Sequence, residues 1–253
     1  MIFTSHQLPF PFFYSEGVFE AGLPASLHVK FANENAINEV MEVVSAFVTL
    51  ATFGAFAGAS IYPSRSSINV HTATSTSTND LWWSFEDAHL SDEALVVLAH
   101  LLLGVHGAVA IDRVEVVANG ATASLRLQTD VSGAMFPGEF HQLPFKLDGD
   151  DMQGEDYAFE IELMEPLYPA NEDWLNSMLL AWCRVVMLGG YADAPTRPAD
   201  AYVETDEKIV TYDNVVEWAL FKLRADGASI DALLNGLAAF DGRCQQINRV
   251  EML

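Results

Sequence analysis

The segment "FEIEL" at Phe159 to Leu163 alternates apolar and acidic residues, which sets Glu160 and Glu162 on one face of an extended strand. A carboxylate held on a partly dehydrated face can act as a base. The segment "LHVKF" at Leu27 to Phe31 has the same alternation and sets His28 and Lys30 on one face as a cationic pair. Should the two faces meet, Lys30 would hold an anion and Glu160 or Glu162 would take a proton, and the four residues form the candidate ligand-binding site. On faces open to water the same residues are solvated charges or structural ion pairs.

Other spacings that could carry chemistry are incomplete. The chain has no GxxxxGK[ST], no GxGxxG after a strand, no HExxH and no GxSxG, so phosphate-loop, dinucleotide, zincin and hydrolase-elbow chemistry have no support. "DGDDMQGED" from Asp148 has the acidity of a calcium loop, but its glycine falls one position late and Phe159 stands where the closing glutamate belongs. His100 and His106 lie six residues apart, a spacing that does not share a helical face. Cys183 and Cys244 form no CxxC, so both are expected to be reduced core thiols. No catalytic residue, metal site or cofactor follows from these patterns. "HTATSTSTND" from His71 reads as a strand fading into a polar loop, "PFPFFY" from Pro9 as a flap packed on the core, and the five tryptophans as core.

The elements that position these residues occur twice. "HQLPF" stands at His6 to Phe10 and again at His141 to Phe145. "NENAIN" from Asn33 matches "NEDWLN" from Asn171 and "SDEALVVLAHLL" from Ser91 matches "SIDALLNGLAAF" from Ser229, both at an offset of 138. "DRVEVV" from Asp112 matches "NRVEML" from Asn248 at 136. Four matches in one order imply a duplication, with repeat 1 over residues 1–134 and repeat 2 over 135–253. Asn33, Asn171, Ser91 and Ser229 are N-cap candidates, because their side-chain oxygens can accept from unpaired first-turn amides.

Strand signals fall at 27–31, 67–73, 81–86 and 114–117 in the first copy, and at 159–163, 202–205, 215–223 and 248–252 in the second. With a helix after the first and third strand of each copy, the order is βαββαβ. The predicted fold is α+β: a tandem ferredoxin-like duplication, antiparallel sheets with helices on one face, related by a pseudo-twofold axis. "LWWSFE" and "VVEWALFKL" are apolar on both sides, which predicts sheets covered on both faces, the second cover being either the other repeat packed sheet to sheet or the long loops folded over. Asn119-Gly120 predicts a type I′ hairpin.

Val43 to Ser64 carries no formal charge and raises the question of a membrane span. Its counterpart from Asn171 puts Arg184 opposite Ala46, a position that costs about 2.5 kcal/mol or more at a bilayer centre. The segment is therefore read as a buried helix and loop. The N-terminus lacks a basic n-region, which argues against a signal peptide and for a cytoplasmic protein.

The formal charge is −23, from 35 acidic and 12 basic residues, which repels nucleic acid and anionic membranes. Repeat 2 carries more of it, with 22 acidic and 8 basic residues against 13 and 4 in repeat 1. These features point to a non-catalytic acidic binding protein that engages a basic protein partner, in the manner of an inhibitor or immunity protein. The alternative is an enzyme or small-molecule-binding protein with a polar site between the repeats.

Overall fold

The computed structural model describes residues 8–18, 24–57, 67–77, 79–90, 94–127, 143–149, 157–191, 208–220 and 227–253. Within them the chain is α+β, with four α-helices and two mixed sheets, which corrects the expectation of antiparallel sheets, since the first strand of each half runs parallel to a neighbour. The elements of the N-terminal half are β1 (Phe12–Tyr14), β2 (Ala25–Phe31), a 3-10 turn (Glu34–Ala36), α1 (Ile37–Ala51), β3 (Ser67–Ser77), β4 (Asp80–His89), α2 (Ala94–Val109), β5 (Ile111–Ala118) and β6 (Leu125–Arg126). Those of the C-terminal half are β7 (Lys146–Gly149), β8 (Tyr157–Leu163), α3 (Pro169–Met187), β9 (Lys208–Tyr212), β10 (Val215–Leu220), α4 (Gly227–Cys244) and β11 (Ile247–Met252).

The sheet orders are β3-β4-β2-β5-β1-β6 and β7-β11-β8-β10-β9. In each, the first strand after the entry segment lies at the centre, antiparallel to both neighbours. The entry strands β1 and β7 run parallel to β5 and β11. Each follows an LPF segment whose Phe10 or Phe145 is buried, so the described part of both HQLPF copies leads into an equivalent strand. His6 and His141 lie outside the described residues, as do Ser91 and the strand signal at 202–205.

Period-two alternation decides which sheet face is buried. Leu27, Val29 and Phe31 of β2, and Phe159, Ile161 and Leu163 of β8, are almost fully buried beneath the helices, while the residues between them face the other way. The helices occupy the middle of the molecule. α1 contacts α3, Phe53 meets Trp174 edge-on at 4.8 Å between ring centroids, and Arg184 bonds Glu42. Contacts beyond the helix pair are reciprocal. Asn235 of α4 donates to the carbonyls of Ala55 and Ala57 in the turn after α1, and Gly104 of α2 lies against the Leu188 carbonyl in the turn after α3.

The layers therefore run sheet, helices, helices, sheet. The expectation of sheet-to-sheet packing is corrected: the apolar helices separate the sheets, and the outer sheet faces point apart. The second apolar side of "LWWSFE" reduces to Trp82, which stacks on His28, while Ser84 and Glu86 on the same side are exposed. No described helix is long and apolar enough to cross a membrane. The described part of the uncharged run closes with Ala55, Phe56 and Ala57, buried where α4 meets it.

Four local expectations change. Asn33 caps as predicted, accepting from the Asn35 amide at 3.2 Å, but it caps the 3-10 turn. α3 starts at Pro169, whose fixed φ and missing amide suit the first helical position, so Asn171 lies inside the first turn. Ser229 lies inside α4, fully buried, where its carbonyl accepts from Trp182 Nε1 at 2.6 Å. The Asn119-Gly120 turn has positive φ only at Gly120 and closes through the Ala121 amide on the Ala118 carbonyl, which makes it type II rather than I′. β1 already occupies that side of β5, so the returning strand β6 pairs with β1 instead.

Candidate functional site

Cross-strand register builds one polar row across the outer face of each sheet. In the N-terminal sheet the row reads Arg126, Phe13, Glu115, His28, Trp82 on β6, β1, β5, β2 and β4. In the C-terminal sheet it reads Asp148, Glu251, Glu160, Glu217 on β7, β11, β8 and β10. The central strand supplies His28 in one row and Glu160 in the other. These are the positions at which the alternation of "LHVKF" and "FEIEL" places them.

His28 sits between two carboxylates. Its Nε2 is bonded to Asp80, its Nδ1 lies 3.6 Å from Glu115, and its ring stacks on Trp82 with centroids 4.0 Å apart and planes 10° from parallel. Glu115 in turn accepts from Arg113 at 2.6 Å, and the Arg113 guanidinium lies 4.8 Å from the centre of the Phe13 ring. Both imidazole nitrogens face carboxylates, so neither is open to a substrate. Lys30 stands next to Asp80 and Arg113 in register and is exposed.

On the C-terminal sheet a single guanidinium gathers the acids. Arg249 contacts Glu251 at 2.8 Å, Glu162 at 3.1 Å, Glu160 at 3.5 Å and Asp148 at 3.8 Å. Burial works to lower its pKa, but the bond to Glu162 and the charges of Glu251, Glu162 and Asp148 outweigh it and the net shift is upward. Lys146 pairs with Asp148 at 2.6 Å, and Asn248 donates to Glu162 at 3.1 Å. The Tyr212 hydroxyl donates to Glu217 at 2.6 Å, and that bond, with burial and the charges of Glu217 and Glu160, pushes its pKa up to about 12.

The structure thus separates the four predicted residues into two pairs. His28 and Lys30 lie on one outer face, Glu160 and Glu162 on the other, with the helix layers between. No described ion pair joins Lys30 to either glutamate. Around each pair stand residues outside the predicted site: Asp80, Trp82, Glu115 and Arg113 on one side, and Asp148, Glu217, Arg249 and Glu251 on the other. Their signal was present in "DRVEVV" and "NRVEML", where Arg and Glu alternate toward one face, but which strand they neighbour depends on register.

Among the described residues no three His, Cys, Asp or Glu side chains are arranged to hold a metal ion. Carboxylates directly opposite one another in a sheet repel, so the acidic row depends on Arg249 and Lys146, with the Tyr212 hydroxyl donating to Glu217 at its end. Chemically it is a cation-attracting strip. At about 4.8 Å per strand, four carboxylates extend over roughly 14 Å. No protein-family model matches the chain, and no curated protein matches it in sequence.

Proposed function

We propose that the chain is a binding protein that docks a basic protein partner on the outer face of its C-terminal sheet. The observation that carries this reading is the register of Asp148, Glu251, Glu160 and Glu217, four acidic residues on four neighbouring strands. Counting described side chains, that face holds five carboxylates, with Glu162, against Lys146 and Arg249. A folding sheet gains nothing from such a row, since opposite charges at the same positions would stabilise it by about 0.2–1 kcal/mol per pair. A strip of this kind steers a cationic surface toward the face and fixes its orientation.

The proposal includes a tandem ferredoxin-like duplication, with repeat 1 at residues 1–134 and repeat 2 at 135–253. The shared strand order supports it, as does a detail at the helix ends. Ala110 and Gln245 are both left-handed residues after α2 and α4, with φ of 53° and 51°. Next to them, His106 Nδ1 accepts from the Ile111 amide and Asp241 Oδ1 from the Ile247 amide. These bonds pair His106 with Asp241 at an offset of 135. The proposed setting is the cytoplasm, without nucleic-acid or membrane contact, in keeping with the charge of −23.

The test is association kinetics with a basic partner retained from native extract at low ionic strength, where steering is strongest. Glu160→Lys with Glu217→Lys should slow association with that partner by at least about tenfold. Two equal reversals on repeat 1, Glu86→Lys with Asp112→Lys, should change it far less. Equal effects of the two pairs, or no partner retained at low salt, would refute the reading.

A further inference from the structure

The outer face of the N-terminal sheet differs in kind from the acidic one. Its described side chains include three cations, Lys30, Arg113 and Arg126, against three carboxylates, Asp80, Glu86 and Glu115. In a chain of net charge −23 this is a balanced patch. It also gathers Phe13, Trp82 and Arg113, residue types enriched at protein interfaces, with His28 stacked on Trp82. Arg113 is half exposed and Ser84 is exposed, which leaves the face open to contact.

We infer that this face is the contact between two copies of the chain, related by a twofold axis close to His28 and Trp82. The charge pattern selects that occupant. A basic protein meets three cations here and has the acidic strip on the opposite side of the molecule as a better target. An acidic protein or a phosphate backbone meets three carboxylates. A second copy meets its own balanced pattern, and a twofold axis can set the cations of one copy against the carboxylates of the other.

The area suffices for a stable contact. The six strands hold 41 residues, and at about 3.3 Å by 4.8 Å each they span roughly 650 Å² per copy. Two copies then bury about 1,300 Å², above the threshold of about 1,000 Å² for a specific interface. Packing of two such faces is the aligned sheet-on-sheet arrangement, realised between molecules rather than within one. It leaves both acidic strips free, so this contact does not depend on the docking proposal and fails or stands apart from it.

Sedimentation velocity at loadings from about 1 to about 100 µM decides the matter. The wild-type chain should approach twice its 27.7 kDa mass as concentration rises. Arg113→Glu reverses an exposed charge, and Ser84→Glu adds one where no contact is lost. Either should raise the dissociation constant at least about tenfold, while circular dichroism at loadings where the wild type is monomeric keeps the wild-type spectrum. Glu39→Lys, on the exposed side of α1, should leave it unaltered. A wild-type chain that stays monomeric over the whole range overturns the inference, and so does a dimer that survives both Arg113→Glu and Ser84→Glu.

Discussion

Replacing Asp241 by alanine should destabilise the protein through one backbone amide. Asp241 lies in the last turn of α4 and is 7% exposed, and its Oδ1 accepts from the Ile247 amide at 2.8 Å. Gln245, in the left-handed region at φ 51°, turns the chain so sharply that the first amide of β11 falls over that side chain. Ile247 is 1% exposed, so in the alanine variant its N–H has neither carboxylate nor bulk water to bond. An orphaned buried donor costs about 1–3 kcal/mol. At about 2 kcal/mol, and at 2–4 °C per kcal/mol for a chain of this size, the melting temperature should fall by roughly 4–8 °C.

Asp241→Asn keeps an acceptor oxygen in place and should lose less than half as much. Urea unfolding followed by tryptophan fluorescence measures both variants against the wild type. The equivalent His106 allows a second arm, since His106→Asp puts into the first copy the group the second already uses. It should stay within about 1 kcal/mol of wild type, whereas His106→Ala should lose more. If Asn proves as damaging as Ala at position 241, or Ala costs nothing, the side-chain cap is not what holds this corner.

Tyr212 should ionise late. In the folded protein its pKa stands near 12 against an ordinary 10, chiefly because it donates to Glu217, so the phenol is favoured in its protonated form. The stability this contributes is complete below about pH 10 and is lost as pH rises through 12. The absorbance difference between wild type and Tyr212→Phe should show that titration, and Glu217→Gln should move it back toward 10. A further outcome concerns Arg184 and Glu42, which bond across the two halves but are each about half exposed. Arg184→Ala should change stability by less than about 1 kcal/mol, and a larger loss in urea unfolding would mean that the pair is far better shielded than its exposure indicates.

Much of the architecture could be read from residue spacing because strands and helices impose different periods. "LHVKF" and "FEIEL" name the buried and outer residues of the two central strands correctly, and the repeats place the helices. Register is less legible. That Glu160 lies between Glu251 and Glu217 depends on how far β11 and β10 slide along β8, which no single strand records. Helix starts were misplaced where a second signal competed, as at Asn171, where Pro169 begins the helix two residues earlier. His106 and Asp241 differ in residue type, and only their like hydrogen bonds, to the Ile111 and Ile247 amides, show that they do the same work at their helix ends.

The layer order, too, had a signature in the residues. In α2, buried positions run without a break from Val97 to Leu102, and in α4 from Ala232 to Asp241. A helix buried all round must have a neighbour on every side, whereas a strand with alternating polar positions needs cover on one face only. Helices with no solvent face therefore belong in the middle, and half-polar strands belong outside. Had the sheets met face to face, Glu160 and Glu162 would have lost water and the helices would have exposed leucine and valine; the observed order avoids both costs. Placing the strands outside also frees their outer positions from packing. Substitutions there leave the core intact, which is how one arrangement came to carry His28 beside Trp82 on one face and Glu160 between two glutamates on the other.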